Sequence, residues 1–208
     1  MIYAKLYKFL PIIISPHQSG FVRGRNIADN FLLAKELLMD LDRLVRGHNV
    51  ILKLDMAKAY DRVEWDFIFK VLTKFGFCHR FISLIAQLLY NCWFSISFHG
   101  TITGYFNSTR GVRQGDPIAP ALFILAEEVL SRGLLLLFQS KACEYFHVSR
   151  GTTPISHLLY ADDTMIFSNG RLSSIKKLLS FLSNFEKSSG QCINASKSCF
   201  ISSSLEVL

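Results

Sequence analysis

Asp162 and Asp163 sit side by side in an otherwise apolar stretch, His157-Leu158-Leu159-Tyr160-Ala161-Asp162-Asp163-Thr164-Met165-Ile166-Phe167. Two unit charges about 4 Å apart repel by roughly 4 kcal/mol at an effective dielectric near 20. A divalent cation relieves that repulsion well, because Mg2+ accepts one or two carboxylates and fills its shell with water and substrate phosphates. Taken alone, the dipeptide is more often an ordinary turn. Asp55 adds weight to the other reading. It ends Val50-Ile51-Leu52-Lys53-Leu54, a nearly unbroken apolar run that reads as a buried strand. An acid there is costly unless it is paired or metal-bound, or else caps the turn that follows.

Basic glycine-bearing loops accompany the acids. Ser19-Gly20-Phe21-Val22-Arg23-Gly24-Arg25 brings Arg23 and Arg25 beside glycines, which let a backbone approach a phosphate closely. Solvated loop arginines explain the same residues equally well. Arg110-Gly111-Val112-Arg113-Gln114-Gly115-Asp116-Pro117 feeds a helix start, where free N–H groups and the helix dipole favour an anion. An acid closing one core strand, an acid pair on a distant hairpin and basic loops together suit two-metal phosphoryl transfer. In that chemistry cations about 3.5–4 Å apart activate a hydroxyl and stabilise the leaving oxygen.

The elements that must position these groups are read from periodicity. A helix is expected over 26–44, with Leu33, Leu37 and Leu41 at helical spacing, then the strand ending on Asp55. Helices follow over 64–75, closed by Gly76, and over 80–90. Residues 93–98 alternate like a strand, His99-Gly100 forms a turn, and 104–109 return. A strongly apolar helix covers 121–138, a strand 145–148, and the aspartate hairpin 157–167. A last helix runs over 173–188 to Gly190, and 193–201 contain Lys197. The N-terminal 1–14 is apolar but interrupted by Lys5, Lys8 and Pro11. The pattern is α+β: a small, largely antiparallel sheet with helices packed on one face.

Composition sets the outer bounds. The 208 residues are half hydrophobic, enough for a sizeable core in one domain, and the net charge of +7 leans toward a polyanionic partner. The five cysteines show no CxxC spacing and read as reduced intracellular thiols. No stretch has the features of a signal peptide or the length of a membrane span, so a nuclear or cytoplasmic protein is expected.

At these motifs the chain resembles the reverse transcriptase domain of non-LTR (LINE-type) retrotransposons, most closely the versions widespread in plants. The resemblance runs from about Leu6 to Ile201 and keeps the family's order. Residues from Ile14 to Arg25 are similar to the finger segment, and Leu54-Asp55-Met56-Ala57-Lys58-Ala59-Tyr60-Asp61-Arg62-Val63 to the first palm motif. Arg110 to Pro120 resembles the template-side motif. Tyr160-Ala161-Asp162-Asp163 resembles the catalytic tetrad, and Gly190 to Ser198 the segment after it.

The resemblance implies a polymerase palm over about 51–201, with inserted finger-side helices, and partial fingers over about 1–50, in a single domain without a thumb. It implies Asp55, Asp162 and Asp163 as catalytic ligands of two Mg2+ ions, with Mn2+ a possible substitute. Tyr60 would reject ribose by clashing with its 2′-hydroxyl, and Gln114 and Gly115 would line the nucleotide and template side. Arg23, Arg25 and Lys197 would meet the triphosphate or pyrophosphate. Arg110, Arg113 and Tyr160 would lie along template and primer. The implied partners are an RNA template, a DNA primer and dNTP. One departure is Ile118-Ala119-Pro120-Ala121 in place of the family's Leu-Ser-Pro-Tyr, which alters packing rather than metal chemistry. An intron-maturase-type reverse transcriptase and a catalytically inactive retroelement remnant are the alternatives.

Overall fold

A computed structural model describes residues 2–149 and 152–202. In chain order the elements are α1 (Ile2–Ile13), α2 (Ile27–Met39), β1 (Asn49–Leu54), α3 (Ala59–Arg62), α4 (Trp65–Lys74), α5 (His79–Tyr90), β2 (Trp93–Phe98), β3 (Thr101–Asn107), α6 (Ala119–Gln139), β4 (His157–Tyr160), β5 (Asp163–Asn169), α7 (Leu172–Ser189) and β6 (Cys199–Ser202).

The centre is an antiparallel sheet in the order β4-β5-β1-β6. Alternate residues of β1 enter different cores, as a pleated strand requires. Val50, Leu52 and Leu54 join the large cluster with α4, α6 and α7, whereas Ile51 joins Ala34, Leu37, Phe146, Leu158 and Phe167 beneath α2. This two-sided burial explains why β1 reads as an almost continuous apolar run.

α6 is the spine. Ala121 to Glu128 are all buried, and so are Leu130, Ser131, Leu134 and Phe138. A helix buried on nearly every side packs against several elements at once. α6 contacts α1, α4, α7 and β4.

Ile2–Ile13, for which periodicity assigns no element, form α1, and Leu6, Leu10 and Ile14 at four-residue spacing are buried in the main cluster. Two local expectations need correcting. The helix expected over 26–44 stops at Met39. At its next residue, Asp40, the carbonyl accepts from Asn49 Nδ2 at 2.8 Å and the carboxylate accepts from the Ser149 N–H at 2.9 Å, which turns the chain. The strand expected over 145–148 is reduced to one bridge, Tyr145 to Ser168. Two bonds from the buried Asn49 amide, each 2.8 Å, satisfy both backbone groups of His147 instead.

The β2–β3 hairpin stands apart from the main sheet, with a two-residue His99-Gly100 turn in which both residues have positive φ, 47° and 79°. That is the geometry of a tight hairpin turn of the I′ kind. Its return strand begins at Thr101, three residues earlier than the periodicity suggests.

Candidate active site

The sheet brings the three aspartates to one edge. Leu54 pairs with Thr164 and Tyr160 pairs with Asp163. Asp55, the residue after β1, therefore falls opposite Asp163 when that register is continued, and Asp162 lies in the two-residue turn joining β4 and β5. Asp55 is half-buried while Asp162 and Asp163 are exposed. The backbone of Asp55 is held from the C-terminal side: its N–H donates to Ser198 Oγ at 3.1 Å, and its carbonyl accepts from the Asn194 N–H at 2.8 Å. Lys197 lies between those two contacts, exposed.

Among the described residues no lysine or arginine forms an ion pair with Asp55, Asp162 or Asp163; the three ion pairs lie elsewhere. Nor do three or more His, Cys, Asp or Glu side chains gather there as a ready metal cage. The aspartates are thus uncompensated carboxylates at an open edge, a donor set that fits a cation finishing its shell with substrate oxygens.

Tyr60 stands beside them. Its ring stacks on Phe123 with centroids 4.6 Å apart and planes 15° from parallel. Burial, with the charge of Asp162 adding to it, pushes its hydroxyl up to about 12. The loop carrying Arg110, Arg113, Gln114 and Gly115 is stapled to this same segment. The Val112 N–H donates to Tyr60 O at 2.7 Å, the Gly111 N–H to Val63 O at 2.8 Å, and Trp65 Nε1 to Gly111 O at 2.6 Å. Gly111 (φ 84°) has no room for a side chain, since a Cβ would lie 2.7 Å from Asp61 O. Arg110, Arg113 and Gln114 line a cavity of about 700 Å3 between α5, the β2–β3 hairpin and α6; the three aspartates are not in its wall.

Arg23 and Arg25 differ sharply. Arg23 is exposed, with no partner among the described residues. The Arg25 guanidinium is committed to carbonyl oxygens of its own segment: Gln18 O and Ile14 O, each at 2.6 Å, and Ser15 O. As placed, Arg25 holds the bend of residues 14–18 rather than presenting a free charge. Tyr160, exposed at the end of β4, pairs with Asp163.

Several buried polar residues that sequence reasoning passed over lie behind this edge or along β4. Gln18, 1 % exposed, hydrogen-bonds the Ala161 peptide next to Asp162. Glu127 and Gln191 form a buried pair at 2.7 Å behind the aspartates. Burial first, and the charge of Asp162 second, push Glu127 up to about 8. His157 links Ser131 and Ser156 at 2.8 Å each and stacks on His17 at 4.4 Å. Burial followed by the neighbouring His17 brings His157 down to about 3. Each of these polar groups stands in a stretch already notable for other reasons. What hid them is that their burial depends on distant segments.

Residues 1–208 match the family described as reverse transcriptase (RNA-dependent DNA polymerase). The chain is 32 % identical over 124 residues to the uncharacterized 149 kDa protein of transposon TX1 from Xenopus laevis, covering 60 % of this chain and 9 % of that protein. It is 28 % identical over 185 residues to the retrovirus-related Pol polyprotein from the type-2 retrotransposable element R2DM of Drosophila melanogaster, covering 89 % and 16 %. The chain thus spans a small part of these relatives' length. The fold matches that of telomerase from Candida albicans, solved with a fragment of telomeric RNA. The TM-score is 0.66 at 16 % identity, over 96 % of this chain and 34 % of that one.

Proposed function

The chain belongs to the reverse transcriptase family, and from that premise we propose that it is the fingers–palm part of an RNA-directed DNA polymerase. The reaction is attack of a primer 3′-hydroxyl on the α-phosphate of a dNTP, directed by an RNA template. What carries the reading is that the β1–β5 register, continued one residue, sets Asp55 opposite Asp163 while the adjoining turn presents Asp162, all without basic partners among the described residues.

Members of the family generally depend on a divalent metal. In this chain Asp55, Asp162 and Asp163 would hold two Mg2+ ions, or Mn2+ in their place. Bound there, the ions would lower the pKa of the primer hydroxyl and neutralise charge on the phosphates. The protein's own groups do the rest. Tyr60, fixed by its stack on Phe123, forms a wall under the incoming sugar and excludes a 2′-hydroxyl by bulk. Gln114 and Gly115 border the nucleotide, and the stapled loop keeps them in register with Tyr60. Arg23 and Lys197, both exposed, would meet phosphate oxygens. Arg25 contributes by shaping the segment that carries Arg23. Arg110, Arg113 and Tyr160 would contact template and primer. Residues of about 1–50 act as the finger side and about 51–201 as the palm.

Primer extension on an RNA template, with Mg2+ and then Mn2+, tests this. The parent is expected to extend, and Asp162→Asn to lose at least about two orders of magnitude in rate while staying folded, on the scale of removing one preorganised charge contact. Equal extension by both would sink the assignment. A folded parent that extends nothing under either metal would leave the family membership standing and make this chain a catalytically inactive relic.

A further inference from the structure

The turn that presents Asp162 is held from outside the hairpin by one amide. Gln18 Oε1 accepts from the Ala161 N–H at 2.9 Å, and Gln18 Nε2 donates to the Ala161 carbonyl at 3.2 Å. The same Oε1 also accepts from the Gly20 N–H at 2.8 Å, which fixes the side chain against its own backbone. Both backbone groups of Ala161, in the two peptide units that flank its Cα, are therefore bonded to one side chain from 143 residues away.

Ala161 needs such a hold. It sits at the first central position of a two-residue hairpin turn with φ of +54°, where glycine is at ease and an L side chain is strained. Strain of this kind persists only where surrounding structure over-determines it. The surroundings here are close. A Cβ on Gly20 would lie 2.5 Å from Ala161 N, so the strap of residues 17–20 is packed directly on the turn. Ser19 N–H donates to Leu159 O at 3.0 Å and Leu159 N–H to His17 O at 2.9 Å, which docks the strap along β4.

We propose that Gln18 is a positioning residue for Asp162: its amide clamps the Ala161 peptide in the positive-φ turn and so sets where that carboxylate points. This rests on the reading of Asp162 as a metal ligand. Gln18 touches no reacting atom; it acts through Ala161. Residues that orient ligands from behind in this way contribute about 10–100-fold in metal affinity or activity when removed.

Two readouts on Gln18→Leu decide it. The first is amide hydrogen exchange at Ala161, which needs no activity: the parent exchanges slowly, and the variant loses that protection while residues in α6 keep theirs. The second is primer extension, where kcat falls about 10–100-fold with KM for dNTP little changed. Ala161→Gly added to Gln18→Leu is expected to recover much of the rate, since glycine adopts the positive φ without help. Gln18→Asn, one methylene too short to span the peptide but still polar, serves if the leucine variant does not fold.

An Ala161 amide as protected in the variants as in the parent overturns the clamp whatever the activity. A rate loss that tracks a fall in Tm and is not recovered by Ala161→Gly also overturns it, leaving Gln18 an ordinary core residue. A parent that extends no primer defeats the proposed function instead, and the exchange readout still rules on the clamp.

Discussion

Glu127 shows what a single buried acid asks of its surroundings. It is 1 % exposed, its Oε1 accepts from Gln191 Nε2, and its Oε2 has no hydrogen-bond partner among the described residues. Burial, with Asp162 adding to it, raises its pKa from 4.5 to about 8. In the folded protein the group therefore keeps its proton through a range where the unfolded chain has lost it. Below about 4.5 both states are protonated and the contribution is constant. As pH rises from there toward about 8 the folded state binds more protons than the unfolded one, so stability declines. At about 1.4 kcal/mol per pKa unit the total is on the order of a few kcal/mol. Glu127→Gln, which mimics the neutral acid in shape, is expected to flatten that decline. Urea unfolding of parent and variant at a series of pH values checks it. Parallel curves for the two proteins would mean that Glu127 is already charged at neutral pH.

At the scale of elements, the strap of residues 14–25 has a larger part than its composition suggests. It bonds to β4, it packs on the aspartate turn, and through Ser15 it reaches α6: the Ser15 N–H donates to Glu128 Oε2 at 2.9 Å and Ser15 Oγ meets Ser131 Oγ at 2.7 Å. Two of its glycines separate the possible reasons for glycine. Gly24 has φ of +82° with open space where a Cβ would be, whereas Gly20 shows no positive φ but would drive a Cβ into Ala161. Gly20→Ala should therefore act by overpacking, at a cost of about 1–3 kcal/mol, and should disturb the aspartate turn. Gly24→Ala should cost backbone strain alone and leave the turn in place. Comparing their Tm values and the Ala161 amide exchange separates the two. A Gly20→Ala protein with an unchanged Ala161 amide would count against tight packing of strap on hairpin.

The same elements show where sequence reasoning reached and where it stopped. The periodic helices α4, α5, α6 and α7, the strand before Asp55 and the aspartate hairpin all carry local signals, and they lie within a few residues of where those signals put them. α1 was hidden because Pro11 and two lysines interrupt its apolar content, although Leu6, Leu10 and Ile14 keep a helical face. The segment 145–148 has strand composition, but β4 already occupies β5 from Asp163 to Ile166, so one bridge is all that remains. For the site, the acids and loop cations stand out by type alone. Gln18 does not, because a buried glutamine is recognisable only through its partner, and Ala161 is 143 residues away. The commitment of Arg25 to backbone carbonyls is equally a property of the folded bend.

For the molecule as a whole, charge and exposed aromatic surface point the same way. The chain carries 23 Lys and Arg against 16 Asp and Glu, and among the described residues only Arg43, Arg132 and Arg171 are paired with acids. The β2–β3 hairpin, Trp93 to Asn107, holds no acid and exposes Trp93, Phe98, Tyr105 and Phe106. It rises beside the cavity that Arg110 and Arg113 line. A surface with unpaired guanidinium groups next to open aromatic rings suits a nucleic-acid strand, whose phosphates release counterions on binding and whose bases can stack. Affinity for an RNA–DNA primer–template is then expected to fall steeply with salt, linearly in a plot of log K against log salt concentration. Each phosphate contact contributes slightly under one to the slope. Arg110→Gln and Arg113→Gln should each weaken binding by a similar factor on unrelated sequences and reduce that slope by about one. The two substitutions together should reduce it by about two. A titration from low to moderate salt on two primer–templates of different sequence measures both quantities. If binding drops on one sequence only, the arginines read base edges rather than phosphates; if the slope stays at the parent value, neither guanidinium faces the backbone and the strand runs elsewhere on this basic surface.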